Sequence, residues 1–274
     1  MNALNFIIPK KKKLKEINEL IIFAGGKGTR LSEETLLKPK PMVQIGEMPI
    51  LWHIMKYYSI YGIKKFYICL GYKGYIIKDF FLNYHNFNSS LKINLKTNEI
   101  NFIDKAKDDW EIILLDTGLN SGTANRLLQT IRKTNGKNIF FTYGDGLANV
   151  NLFQLEQSHL ANKKQLSITG SDYKSRFGKI YFNGKNPIFS EKPSERKSLI
   201  NAGFGVVNKS IIKVLEKYDC KEMLEEKPMK QISKNKNLNV YVHKGFFHPM
   251  DTARDKMILQ KLWDENKAPW KIWI

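Results

Sequence analysis

Leu20-Ile21-Ile22-Phe23-Ala24 is an unbroken apolar run that stops on Gly25-Gly26. A strand apolar at every position has no solvent side, so it must lie in a sheet covered on both faces, running straight into a tight loop. The pattern then alternates. Pro49 opens an amphipathic helix to about Tyr61, stopped by Gly62; Lys65–Leu70 reads as a strand and Tyr75–Tyr84 as a helix. Trp110–Leu115 and Asn138–Tyr143 follow as strands, with helices predicted over Thr123–Lys133 and Leu152–Leu160. Such alternation predicts a three-layer, Rossmann-like α/β fold with a mixed, mainly parallel sheet, in which ligands bind beyond the carboxyl ends of the strands. After Gln165 come shorter strand-like runs, Leu166–Gly170, Phe177–Phe182 and Ile200–Val207, and then helices over Ser210–Lys217 and Thr252–Trp263. One domain is expected over residues 18–274, behind a basic extension of residues 1–17.

The charge balance, 45 Lys plus Arg against 26 Asp plus Glu, gives +19, which raises the question of a nucleic acid or a membrane surface as partner. Only six of the cations are arginines, and the lysines are spread over the whole chain. Base recognition favours the arginine fork, so this distribution predicts a solvated surface and no nucleic-acid partner. No apolar run reaches the roughly 18 residues a membrane span requires. Cys69 and Cys220 form no C-x-x-C pair, which argues against a disulfide framework or a thiolate zinc site. A cytoplasmic protein without a membrane partner is expected.

The chemistry concentrates where the first strand ends. Ala24-Gly25-Gly26-Lys27-Gly28-Thr29-Arg30-Leu31 offers bare main chain to an anion, and Arg30 and the proline-flanked Lys40 add positive charge. The spacing fits neither a Walker loop nor a dinucleotide fingerprint, since Leu31 occupies the third glycine position. Asp145 lies in Tyr143-Gly144-Asp145-Gly146 behind an apolar strand, where it suits a hard cation such as Mg²⁺ or simply a turn. Asp251, in Pro249-Met250-Asp251-Thr252, is either a second carboxylate for that ion or a helix N-cap. Glu191-Lys192 reads as an exposed ion pair or as the grip on a phosphorylated acceptor. Of the six arginines, Arg30, Arg126, Arg176 and Arg254 fall in these segments, which favours phosphate work.

AGGKGTRLSEETLLKPKPM, PILWHIMKYYSIYGIKKF, LGYKGYIIKDFF, FTYGDG, SEKP, PMDTARDK and APWKIW, in this order, resemble the sugar-1-phosphate nucleotidyltransferases, and within them the glucose-1-phosphate cytidylyltransferase branch. The resemblance implies a nucleotide-diphospho-sugar transferase fold, with a nucleotide-binding part over about 18–150 and a sugar-binding part over about 151–274. It also implies roles. Ala24, Gly25, Gly26, Gly28, Thr29, Arg30 and Lys40 would hold the triphosphate of CTP, with Arg126 beside the nucleotide. Asp145 and Asp251 would hold Mg²⁺, Lys192 the sugar phosphate, and Gly178, Glu191 and Asn201 would face the sugar. Arg30, Lys40 and Lys192 would neutralise charge as a sugar 1-phosphate attacks the α-phosphorus. Homo-oligomers are expected. The chain departs from the branch at Thr123-Ala124-Asn125-Arg126, where T-G-G-R is usual, and at Asn201-Ala202-Gly203-Phe204, where N-G-G-F is usual. Another nucleotide or acceptor, or a non-catalytic nucleotide-binding regulator, stands as the alternative.

Overall fold

The computed structural model describes residues 14–28, 31–104, 108–172, 179–183, 186–190 and 199–273. The first strand, β1 (Glu19–Phe23), is buried at every position. Successive side chains of a strand point to opposite faces, and β1 therefore feeds two cores. Leu20 and Ile22 pack with Tyr58, Phe66 and Phe140 on one face. Ile21 and Phe23 pack with Leu127, Ile131 and Phe141 on the other.

Helix α1 (Ile50–Ile60) starts behind Pro49 and ends at Gly62, whose φ of 100° suits a residue without a Cβ. It is followed by β2 (Lys65–Leu70), α2 (Gly74–Leu82) and a detached hairpin, β3 (Leu91–Asn94) with β4 (Glu99–Phe102). Next come β5 (Glu111–Asp116), α3 (Thr123–Ile131), β6 (Asn138–Tyr143), the three-residue β7 (Gly146–Ala148) and α4 (Leu152–Asn162). The second half holds β8 (Leu166–Ser171), β9 (Lys179–Asn183), β10 (Asn186–Ser190) and β11 (Leu199–Asn208). It closes with α5 (Lys227–Lys234), β12 (Leu238–His243), β13 (Phe247–Pro249) and α6 (Ala253–Asp264).

The main sheet runs β10–β9–β11–β6–β1–β2–β5, with β8 joining β11 to β12. Its centre, β6–β1–β2–β5, is parallel, and β11 is antiparallel to β6. This is the mixed, mainly parallel α/β sheet that the alternation predicts. Among the described residues no helix is long and apolar enough to cross a membrane.

Two predicted helices differ. Tyr75–Tyr84 breaks at Asn83, whose side chain donates to Asp79 O at 3.1 Å, and a short helix, Tyr84–Asn88, follows. Ser210–Lys217 shrinks to a 3-10 turn, Lys209–Ile211, and the single turn Ile212–Leu215. There Asn208 Oδ1 accepts the Ser210 N–H at 3.0 Å and tightens the start, and the chain leaves the helix early so that Leu224 reaches the second core.

Candidate active site

A cleft of about 940 Å³ opens over the carboxyl ends of the strands, and Gly25, Gly26, Lys40, Asp145, Asn201 and Asp251 all line it. Its floor is the glycine loop leaving β1. Cys69 O accepts the Ala24 N–H at 3.1 Å, Phe23 O accepts the Gly144 N–H at 3.0 Å, and Gly25 O accepts the Tyr72 N–H at 3.1 Å. The loop is thus tied to β2 and β6. Among the described residues nothing stands within 4 Å of where a Cβ on Gly26 would be, so bare main chain faces the cleft there. Gly28, at φ 63°, turns the chain, and its carbonyl accepts from Thr35 Oγ1 at 3.1 Å.

Arg126 lies under this loop and is only 3% exposed. Its Nη1 donates to Leu70 O at 2.9 Å and to Thr117 Oγ1 at 2.6 Å, and its Nη2 donates to Gly25 O at 3.1 Å. The guanidinium therefore joins the ends of β1, β2 and β5. Burial lowers its pKa from the usual arginine value, yet the carbonyl dipoles around it suit a cation.

Lys40 sits in the 3-10 turn Lys40–Met42, with Pro39 capping it and Pro41 in its first turn. Proline fixes the backbone on both sides, and the side chain is directed inward. Its Nζ donates to Asp145 Oδ2 at 2.8 Å and to Asp251 Oδ1 at 2.5 Å. Burial alone would lower the Lys40 pKa, but the two carboxylates outweigh it and hold the ammonium above its ordinary value.

The aspartates arrive from distant parts of the chain on one small ladder. β7 pairs antiparallel with β13, Gly146 opposite Pro249, and Met250 N donates to Asp145 O at 2.7 Å. Thr252, not Asp251, caps α6: Thr252 Oγ1 accepts from Asp255 N at 3.2 Å, and Asp255 Oδ2 accepts from Thr252 N at 2.8 Å. The capping box leaves the Asp251 carboxylate to the cleft. A divalent ion of the magnesium type prefers hard oxygen donors and is usually held by one or two carboxylates, with water and substrate phosphate completing its shell. Two carboxylates meeting on one cation fit that donor set, and among the described residues no cluster of three His, Cys, Asp or Glu side chains offers a rival metal site.

Asn201 lines the cleft from β11, where its Oδ1 accepts the Gly203 N–H at 3.0 Å. Thr29, Arg30, Gly178, Glu191 and Lys192 lie outside the described residues. Sequence reading missed the wall formed by residues 219–226, which brings Lys221, Met223 and Glu225 to the cleft. The available signal was faint, an acidic pair, Glu225-Glu226, just ahead of the Pro228 that opens α5.

Residues 19–263 match the family described as Nucleotidyl transferase. The chain is 42% identical over 255 residues to the glucose-1-phosphate cytidylyltransferase of Salmonella typhimurium, covering 92% of this chain and 98% of that protein. A UDP-glucose pyrophosphorylase solved with UDP-glucose superposes with a TM-score of 0.71 at 16% identity, over 91% of this chain and 99% of that one. HddC from Yersinia pseudotuberculosis gives 0.68 at 21% identity, over 90% and 100%. The last two establish the shared architecture, and the Salmonella relative reaches almost from end to end. A strand-end cleft floored by glycines thus coincides with a family match over most of the sequence: the chain belongs to the nucleotidyl transferase family and is a nucleotidyltransferase.

Proposed function

We propose that the protein transfers the cytidylyl group of CTP to glucose 1-phosphate, giving CDP-glucose and pyrophosphate. The observation that carries the chemistry is the meeting of Asp145 and Asp251 on Lys40 above the glycine loop. The choice of substrates is supported by the 42% identity to a protein named for that reaction.

A sugar 1-phosphate is already anionic at neutral pH, so its oxygen attacks the α-phosphorus without a general base, while the bond to the pyrophosphate oxygen breaks. The protein's task is to position the partners and neutralise charge. Gly25 to Gly28 cradle the phosphates, Arg30 and Lys40 balance the departing pyrophosphate, and Lys192 holds the acceptor phosphate. Glu191, Asn201 and Gly178 face the sugar hydroxyls. Asp145 and Asp251 would hold Mg²⁺, which when bound polarises the phosphoryl oxygens.

We further propose a cytoplasmic homo-oligomer. An isolated two-stranded hairpin is marginal in water, and the β3–β4 hairpin exposes Ile93, Ile100 and Phe102, a surface suited to a second copy of the chain. Light scattering on the purified protein measures the assembly.

Pyrophosphate release from CTP, UTP, dTTP and GTP, each paired with glucose 1-phosphate and with other sugar phosphates, tests the assignment. CTP with glucose 1-phosphate is expected to give the highest kcat/KM. A higher value with another pair moves the substrates, and no release with any pair removes the catalytic reading.

A further inference from the structure

Glu225 is a carboxylate on the cleft wall for which the reaction just described has no use. The segment carrying it is stapled onto the start of α3. Gly122 N donates to Cys220 O at 2.8 Å and Ala124 N to Glu222 O at 3.3 Å. Contact is so close that a Cβ on Gly122 would stand 2.0 Å from Glu222 O. Leu224 N donates to Thr123 Oγ1 at 2.8 Å, and that hydroxyl donates to Glu225 Oε2 at 2.8 Å. Because Thr123 Oγ1 already accepts from Leu224, its single proton goes to Glu225, and the carboxylate is held as an acceptor.

This wall is unsuited to phosphate. Two N–H groups at the start of α3, those of Gly122 and Ala124, which would otherwise attract an anion, are taken by the carbonyls of residues 220 and 222. Glu225 and Glu226 both line the cleft here, with Lys221 beside them; among the described residues no cation acts on Glu225, whose pKa burial pushes up and Glu226 raises further. The triphosphate is therefore steered to the glycine loop and Lys40, which leaves this wall for the uncharged end of the nucleotide, the base.

We propose that Glu225 reads the exocyclic amino group of the base. This rests on the cytidylyl assignment above. Cytosine presents an amino donor at its 4-position, which a carboxylate fixed as an acceptor can receive. Uracil and thymine present a carbonyl oxygen there, acceptor against acceptor. Thr123 is the positioning residue that aims the carboxylate, and Glu225 sets specificity. Glu225 lines the cleft, and Thr123 engages only one of its two carboxylate oxygens, Oε2.

The test is kcat/KM for CTP and for UTP, with glucose 1-phosphate, in wild type, Glu225→Gln and Glu225→Ala. One hydrogen bond to a charged group corresponds to about 10- to 100-fold, so the CTP-to-UTP ratio is expected to fall at least about tenfold in both variants. In Glu225→Gln part of the fall should come from a gain with UTP, because the amide can donate to the 4-carbonyl. Wild type offers a check that needs no variant: a 2-pyrimidinone ribonucleoside triphosphate, bearing hydrogen at the 4-position, should lose at least about tenfold relative to CTP. A CTP preference that persists in a folded variant, or an analogue used as well as CTP, overturns the role of Glu225 and leaves the cytidylyl assignment standing. A wild-type enzyme that prefers UTP overturns that assignment, and this inference with it.

Discussion

Arg126 holds Gly25 from below: its Nη2 donates to the Gly25 carbonyl at 3.1 Å. The same guanidinium reaches Leu70 O and Thr117 Oγ1, so one planar group sets the spacing of three strand-end loops. The sequence resemblance implies a place beside the nucleotide; the geometry puts Arg126 beneath the glycine loop, bracing it through Gly25 O.

A lysine has no planar fork with which to span three acceptors. Arg126→Lys should therefore leave a buried acceptor unpaired, at a cost of about 1–3 kcal/mol. It should also raise the KM for the nucleotide about tenfold or more, the cradle having loosened. Thermal melts and steady-state kinetics measure both; an unchanged KM would contradict the clamp.

Adjacent glycines should respond differently to the same substitution. In Gly25→Ala the new methyl carbon would stand 2.2 Å from Arg126 Nη1, and stability should fall by about 1–3 kcal/mol through overpacking. Gly26→Ala meets nothing within 4 Å among the described residues, so stability should stay within about 0.5 kcal/mol while nucleotide binding weakens, the methyl group standing where the phosphates are proposed to lie. Calorimetric binding of CTP beside a melt of each variant separates the two effects.

The two aspartates should be indispensable to turnover. Asp145→Asn and Asp251→Asn are each expected to reduce pyrophosphate release about a thousandfold or more, in line with the loss of a group that stabilises transition-state charge. Lys40→Met leaves the carboxylates without their shared cation, which should cost about 2 kcal/mol after allowance for the partial exposure of Asp145. Added Mg²⁺ should then raise the melting temperature of Lys40→Met more than that of wild type, since binding to the folded state alone stabilises it. Equal shifts in the two proteins would count against a common seat for ammonium and metal.

Acid should destabilise the fold through two buried histidines. Burial lowers the pKa of His53 to about 4 and that of His159 to about 4. At His53, Trp270 Nε1 donates to Nδ1 at 3.4 Å and Nε2 lies 2.8 Å from Ile45 O, an arrangement that suits the neutral ring with its proton on Nε2. Unfolded histidine titrates near 6.5, so the unfolded chain binds more protons than the folded one between about pH 6.5 and pH 4. The stability contributed by the neutral rings is complete above that window and is lost as pH falls through it, by up to about 3 kcal/mol per residue. Denaturant melts from pH 7.5 to 4.5 should show the decline, with a shallower slope in His53→Gln.

Much of this was readable from local pattern. An apolar run over residues 20–24 buries on two faces whatever follows it, and the glycines after it mark the loop, so the floor of the cleft was visible. The residue types of the acidic pair were visible too, but their meeting depends on a ladder with three residues on each strand, too short to leave a periodic signature. Asp251 was poised between helix cap and ligand, and the Thr252–Asp255 capping box removes the first of these readings. Glu225 escaped notice because its place depends on carbonyls of residues 220 and 222 finding the start of α3. The β3–β4 hairpin was missed although Leu91-Lys92-Ile93-Asn94 and Glu99-Ile100-Asn101-Phe102 alternate apolar with polar residues; the alternation marks no core face, since Ile93 and Ile100 are exposed.

The pairing of β7 with β13 brings the polypeptide back to the place it left. Everything threaded between those rungs, β8 to β12 with α4 and α5, is a detour whose two ends are pinned. The spacing of Asp145 and Asp251 is thereby fixed by a three-rung ladder, with about a hundred residues of chain between its two strands. The two carboxylates can therefore meet only once the whole of that intervening chain has folded, so the cleft is among the last features of the molecule to be completed.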